Sequence, residues 1–565
     1  MKQYSYSRRK FIKSTILTSG ASLLGSELLL ADPSPSLSGS PLDSPLNDSP
    51  IIDANVGLGR FASGLNSDLA QTDKTLQQLG SAGINKALVY SVLARETDAE
   101  EGNALVLEEC GKHSGLIPSF VISPYEMDID TVLAVMDRHD ISVARLYPEK
   151  GYFSVYPSII GPIVEKLQNA NKVLFIDFES LVWSGKVIDY NAIYQLCLAY
   201  PKIPVVLIGS TILGSRNYPN LLKECDNLFL EISQILQPEG IFRLVQQGYG
   251  RRLIFGSGFP RREPGALLNM LAYSSVAQEE LQNICYGNLL RLLDIKYDND
   301  SFSLKKPEKR DIIDLHIHQG ATAYLAPSES GTADNIIRNM DRCGIKAVMT
   351  TSFWSVGGEI KRGNKAVSEA CAKYPGRIFG YITLDPKYPE EVESELELYG
   401  ENPSFRGIKQ HLENHQVDLT DPRNEIIYSF ANKKGWPLLI HDRYFYFPDG
   451  VNPNEWEKVC TTYRNAKFIM AHTGGMDPRF EKPVFKLAEL ARKHKNLYFD
   501  CAASHIFPGA LDRLAAIAGA EQIVYGSDYP LFDFAFETGR VFSSSLNEEE
   551  RDLILHGNAK KLIGL

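Results

Sequence analysis

The eight cysteines include no CxxC pair, which removes the zinc-finger and thioredoxin-type redox readings. No GxGxxG turn follows an early strand, so a doubly wound dinucleotide fold would lack its phosphate loop. There is no basic tract, and the net charge is -10; together these exclude an electrostatic nucleic-acid footprint. The apolar run from Ser14 to about Gly25 falls short of the roughly 20 residues of a membrane-spanning helix. Histidine is scarce, at 11 in 565 residues, so a cluster of histidines at strand ends is informative. At 565 residues the chain is too long for one core, and two large domains are expected.

Ser7-Arg8-Arg9-Lys10-Phe11-Ile12-Lys13 precedes that apolar run, and Leu28-Leu29-Leu30-Ala31 closes it. A basic start, a short apolar stretch and a small residue at the exit describe a secretory signal over residues 1–31. The paired arginines resemble the twin-arginine type, which exports folded proteins to the periplasm. Residues 32–50 are Pro, Ser, Asp, Asn, Leu and Gly with little else, the composition of a disordered tether. An exported chain is free to oxidise its cysteines, but their spacing sets no disulfide framework. Cys197 and Cys371 lie in apolar stretches, where free buried thiols act as small hydrophobes.

The remainder repeats itself. Ile51-Ile52-Asp53 matches Ile312-Ile313-Asp314, and Gly83-Ile84 matches Gly344-Ile345. Phe255-Gly256-Ser257-Gly258-Phe259-Pro260 matches Tyr525-Gly526-Ser527-Asp528-Tyr529-Pro530, and Tyr286-Gly287-Asn288 matches His556-Gly557-Asn558. Each copy alternates short β-rich runs with longer helical patterns, eight of each, within about 250 residues, the size of one TIM barrel. The expected fold is α/β: two tandem TIM (β/α)8 barrels over 51–297 and 311–565, joined by a polar linker at 298–310.

Function in this fold lies at the C-terminal ends of the strands. In the second copy those ends collect the ionisable residues. Strand one ends Asp314-Leu315-His316-Ile317-His318, and period-2 alternation puts both histidines on one face. Apolar runs end at His441, at His472 and at Asp528. Burying the ionisable ends of four strands on one rim costs several kcal/mol, and a divalent cation resolves that cost; imidazole and carboxylate suit Zn²⁺, Mn²⁺ or Fe²⁺.

HxH after strand one, His after strands five and six, and Asp after strand eight resemble the amidohydrolase superfamily. Gly474-Gly475 and Gly526-Ser527-Asp528-Tyr529-Pro530 look most like its amidohydrolase-related branch, which includes decarboxylases of aminocarboxymuconate semialdehyde and hydroxybenzoates as well as lactone hydrolases. The resemblance implies one divalent ion, zinc by preference, held by His316, His318, His441 and Asp528, with His472 as general acid or base. Lys409, after strand four, corresponds to a lysine that is carboxylated in some superfamily members and bridges two metals; an ordinary substrate-binding or structural lysine is the alternative, and a single ion is expected. His411 either reaches the pocket or belongs to the loop. Arg443 is a candidate partner for a substrate carboxylate. Tyr444, Trp354, Asp500 and His505 are further candidates, each equally readable as a packed or solvated loop residue.

The first copy has Asn55 and Gly57 in place of His316 and His318. Asp177 replaces His441, Gly209 replaces His472 and Gly258 replaces Asp528. Its histidines, His113 and His139, fall in helical or loop stretches. A barrel that kept its strands and lost its ligands is expected to pack against the second, as an intramolecular form of a homodimer, or to shape its mouth. Arg145, Tyr147, Asp177 and Glu231 remain at its strand ends as candidate pocket residues. Three functions remain in contention: an exported metal-dependent hydrolase of a small ester, lactone or amide; a non-oxidative decarboxylase using the same site; or a non-catalytic binding protein. The expected partner is a small-molecule substrate, with further oligomerisation left open.

Overall fold

The computed structural model describes residues 51–61, 70–178, 188–209, 216–296, 302–304, 306–307, 309–323, 328–443, 451–474, 481–502 and 507–565. The signal-like segment and tether, Tyr444 and His505 lie outside them. The described strands form two parallel eight-stranded sheets, ordered β1 to β8 and β9 to β16. The first holds β1 (Ile52–Leu58), β2 (Lys86–Ser91), β3 (Leu116–Val121), β4 (Val143–Leu146), β5 (Val173–Asp177), β6 (Val205–Ile208), β7 (Leu228–Glu231) and β8 (Leu253–Ile254). The second holds β9 (Ile312–Gln319), β10 (Ile345–Ser352), β11 (Ile378–Thr383), β12 (Phe405–His411), β13 (Pro437–His441), β14 (Lys467–Met470), β15 (Leu497–Asp500) and β16 (Ile523–Val524).

Both sheets close on themselves. Ala54 N–H donates to Phe255 O at 3.0 Å and Gly57 N–H to Phe259 O at 2.9 Å; in the second barrel Leu315 N–H donates to Tyr525 O at 2.9 Å and His318 N–H to Tyr529 O at 2.7 Å. The chain is two tandem (β/α)8 barrels.

Local chemistry repeats with the fold. Thr332 caps the helix Ala333–Cys343, its hydroxyl accepting from Asn335 N–H at 3.4 Å. Ile336, Met340 and Cys343 form the buried stripe, and Gly344 ends the helix at φ 78. Gly83 has φ 82 at the matching junction before β2. A side chain is disfavoured in that left-handed region, which explains why Gly-Ile recurs. Strands covered by helices bury both faces and read as apolar runs; β13 is buried throughout except its terminal histidine.

The structure corrects the expected end of the last strand. β16 stops at Val524, and Asp528 sits beyond it in a left-handed turn at φ 57, matched by Gly258 at φ 72. The described part of the linker packs on the first barrel, with Leu304 buried and Phe302 5.9 Å from Tyr286 between ring centroids. All eight cysteines are unbridged, and all but Cys110 are buried. No described helix is long and apolar enough to cross a membrane.

The barrels meet through equivalent helices, Pro264–Tyr273 and Phe534–Ser543. Asn269 Nδ2 donates to Ala535 O at 2.6 Å and lies 3.1 Å from Thr538 Oγ1. Asn269 and Gly539 hold the same place in the two repeats, and they touch: a Cβ on Gly539 would stand 2.7 Å from that of Asn269. Contact between equivalent residues marks a local two-fold axis. The pairing expected from the duplication is therefore present as a fused, two-fold-like seam.

Candidate metal centre

Asp314 anchors the site without belonging to it. Its Oδ1 accepts N–H from His316 at 2.8 Å and from Ser527 at 3.2 Å. This ties β9 to the turn that presents Asp528. Burial pushes the Asp314 carboxyl up to about 8, against the lowering effect of Ser527 and His316.

His316, His472 and Asp528 each place one potential ligand atom within 4.8 Å of the others. His318 Nε2 lies 3.0 Å from Asp528 Oδ1. His441 joins through His472, with Nδ1 3.1 Å from His472 Nε2. Its other nitrogen, Nε2, lies 3.1 Å from Glu413 Oε2. His411 stacks on His441 at 3.9 Å between centroids, and its Nδ1 accepts Asn414 N–H at 3.2 Å. Lys409 is fully buried, with Nζ 3.2 Å from His316 Nε2.

Asp500 organises two of the imidazoles. Its Oδ2 is 2.8 Å from His316 Nδ1, and its Oδ1 accepts N–H from His472 at 2.8 Å and Ala502 at 3.1 Å. Burial pushes this carboxyl up, but two backbone N–H groups donate to it as they would to an acceptor. A carboxylate on Nδ1 fixes the His316 proton there and leaves Nε2 with its lone pair, the arrangement of a metal-ligating histidine. His472 Nδ1 lies 2.7 Å from Ala502 O. A carbonyl only accepts, so the proton is on Nδ1 and the lone pair on Nε2. His472 and Thr473 hold φ of 57 and 45, a conformation costing of order 1–3 kcal/mol that concentrates at functional sites.

Burial is the first cause lowering the pKa of His316, His318, His411, His441 and His472. Neutral imidazole is the form that donates to a metal. Burial would raise Asp528, but its hydrogen bond with His318 and the nearby His472 hold it below the usual range. Burial brings Lys409 down to about 8 against the pull of Asp500 and Asp528. His318 Nδ1 is buried without a hydrogen bond among the described residues, and Asp528 Oδ1 faces His318 Nε2 at 3.0 Å. Neutral donors grouped around one buried carboxylate fit a divalent cation.

Other residues named from the sequence lie differently. Arg443 Nη1 pairs with Asp418 Oδ1 at 2.5 Å. Trp354 lies under Arg362, 4.3 Å from ring centroid to guanidinium carbon. Sequence reasoning missed Glu413, and it missed Phe353, stacked on His318 at 4.8 Å. It also missed His415, buried on the turn that follows His411. Glu413 and His415 follow His411 within a turn, and that proximity to a strand end was the available signal.

The first barrel keeps the frame of this site. Asp53 Oδ1 accepts N–H from Asn55 and Ser257, both at 2.9 Å, as Asp314 does in the second. Arg145 Nη1 donates to Asn55 Oδ1 at 3.2 Å, as Lys409 reaches His316. A Cβ on Gly57 would stand 2.9 Å from Tyr90 Oη, so a phenol fills the space next to the lost imidazole.

Residues 313–565 match the family model described as amidohydrolase. The match spans nearly the whole of the second barrel. Solved structures similar to this chain include a putative amidohydrolase from Staphylococcus aureus, 18% identical over 45% of this chain and 100% of its own, with a TM-score of 0.37. An uncharacterised TIM-barrel protein from Bordetella bronchiseptica is 17% identical over 45% and 99%, with a TM-score of 0.37. A 5-carboxyvanillate decarboxylase from Novosphingobium aromaticivorans, complexed with manganese and a nitrobenzoic acid, is 16% identical over 45% and 96%, with a TM-score of 0.37. The second barrel, which the family model matches, carries the histidine cluster, and the first barrel carries its frame alone.

Proposed function

We propose that the second barrel is a metal-dependent hydrolase of a small ester, lactone or amide. The observation that carries the reading is His472, whose Nδ1–H is committed to Ala502 O while Nε2 keeps its lone pair beside His316 and Asp528. His316, His318, His441 and Asp528 would hold one divalent ion, zinc by preference, with manganese or iron as alternatives. When bound, such an ion polarises a carbonyl and brings the pKa of water toward neutrality.

His472 accepts the proton at Nε2, within reach of His441 Nδ1 at 3.1 Å. His441 Nε2 faces Glu413 at 3.1 Å, which keeps the His441 proton on Nε2 and leaves Nδ1 with the lone pair that a metal ligand needs. Asp500 holds His316 in orientation throughout. Arg443 is paired with Asp418, so a substrate carboxylate would have to compete for it, which favours an uncharged electrophile. The grouping within 4.8 Å equally admits His472 as the donor and His441 as the base.

A second reading rests on Lys409. Its buried ammonium beside His316 is the group that would hold a substrate carboxylate in a decarboxylase. We also propose that Arg8-Arg9 directs export to the periplasm.

Metal analysis of the purified chain is expected to give one divalent ion, lost in His316→Ala and Asp528→Asn. His441→Ala is expected to lose the ion, and His472→Asn to keep it while kcat falls by at least about 100-fold. The reverse pattern would exchange their roles, and two ions per chain would make Lys409 a ligand. A substrate panel scored for ester or lactone cleavage and for CO₂ release decides the reaction; CO₂ release alone would replace the hydrolase with the decarboxylase.

A further inference from the structure

The hydrophobic core of the first barrel does not end at the seam. Phe353, Leu531, Phe532 and Phe536 come from the second barrel and are buried as part of that core. Two of these segments adjoin candidate ligands. Phe353 opens the helix Phe353–Val356 after β10, and its ring stacks on His318 at 4.8 Å between centroids and 14° between planes. Leu531 and Phe532 follow the turn that presents Asp528, and both are buried.

The imidazoles of the site are not all oriented in the same way. His316 Nδ1 meets Asp500, His472 Nδ1 meets the Ala502 carbonyl and His441 Nε2 meets Glu413. A hydrogen bond at the far nitrogen is the usual means of fixing a ligating ring. His318 turns Nε2 toward Asp528, and its far nitrogen, Nδ1, is buried without a hydrogen-bond partner among the described residues. The plane of this ring is set by the face of Phe353 instead, and Phe353 is backed by the core of the first barrel.

The Asp528 turn hangs from the same body. Leu531 N–H donates to Asp528 O at 3.0 Å, which closes the turn. Two residues on, Asp533 N–H donates to Leu236 O of the first barrel at 2.7 Å. Arg342 adds a second tie across the seam, with Nη2 2.5 Å from Asp533 Oδ2 and Nη1 3.0 Å from Tyr273 O. Asp528 itself holds φ of 57, a conformation that persists where the surroundings over-determine it. Apolar burial on one side and a backbone hydrogen bond on the other supply that constraint.

The repeat supplies a comparison within the same chain. Val92 holds the place of Phe353, Gly57 that of His318, and Arg261 and Arg262 those of Leu531 and Phe532. The barrel without the histidines thus lacks both the ring that would back one of them and the apolar pair behind the Asp528 turn.

We propose that the first barrel is the support of the second barrel's metal centre, holding His318 through Phe353 and Asp528 through Leu531, Phe532 and Asp533. This rests on the metal reading of the second barrel. Ligands fixed before an ion arrives bind it more tightly, because less freedom is lost on binding. Phe353 and Leu236 are positioning residues, acting through His318 and Asp528. Cobalt(II) titration of the full chain tests this, with chelator competition for affinity and visible absorption for the ligand field. Phe353→Leu keeps an apolar side chain in the first barrel's core but removes the ring face. Leu236→Ala loosens the hold on the Asp528 turn from the side of the first barrel. Each should lower the affinity about tenfold or more and change the absorption spectrum. Leu196→Ala, in the helix Tyr190–Ala199 after β5, truncates a leucine of the same core away from the seam helices. It should lower the melting temperature and leave affinity and spectrum as in wild type. Unchanged affinity in Phe353→Leu or in Leu236→Ala, or an equal loss in Leu196→Ala, would overturn the proposal and leave the metal reading standing. A wild type that takes up no cobalt would overturn both. Leu236→Val, a smaller truncation, takes the place of Leu236→Ala if that variant fails to fold.

Discussion

At the residue scale, the site was legible where a single ionisable group closed an apolar run. His316, His318, His441, His472 and Asp528 stood out for that reason. Asp500 did not, because a carboxylate after a strand reads as a loop charge until its oxygens are seen to meet His316, His472 and Ala502. In Asp500→Asn the amide can turn NH₂ toward His316 Nδ1, opposing two donors and favouring the tautomer that blocks Nε2. Metal affinity should fall roughly 10- to 100-fold, read by chelator competition; an unchanged affinity would remove Asp500 from this role. Glu231 makes a pH prediction. Its folded pKa of about 8 exceeds the ordinary 4.5, so the folded state holds a proton that the unfolded state releases. Stability from this group is present at low pH and lost as pH rises through that window. Glu231→Gln mimics the protonated form and should gain on wild type as pH rises, by a few kcal/mol at most at ~1.4 kcal/mol per unit. Melting of both proteins at about pH 5.5 and about pH 8 checks this, and a stability difference that stays the same at both would contradict it.

At the element scale, the repeat was readable because both copies keep the Gly-Ile helix-to-strand junction and the Gly-Ser turn. The seam was not readable, because an apolar helix looks the same whether its partner is its own barrel or another. Pro264–Tyr273 is buried over nearly its whole length, and it is Phe534–Ser543 of the other barrel that covers it. Gly539→Ala would place a methyl 2.8 Å from Ala266 Cα. Backbone there cannot yield cheaply, so the gain in helix propensity is outweighed and the chain should lose about 1–3 kcal/mol. Calorimetric melting checks this; a stabilised variant would mean that the seam repacks freely.

At the scale of the whole molecule, two barrels from one pattern have separated in chemistry while keeping one frame. Asp53 and Asp314 each bind the same pair of N–H groups, so drift at the ligand positions left the architecture standing. The proposed export would be a property of the whole chain as well. Replacing Arg8-Arg9 by Lys-Lys should retain the protein in the cytoplasm, scored by cell fractionation; undiminished periplasmic protein would argue against twin-arginine export.

The contact of Asn269 with Gly539 has one more consequence. Two second barrels paired by the same seam would bring glycine against glycine and leave a void. Two first barrels would force asparagine against asparagine in a space built for one. The fused chain therefore carries a bump and a hollow at its centre of symmetry, and each half is shaped to refuse its own copy.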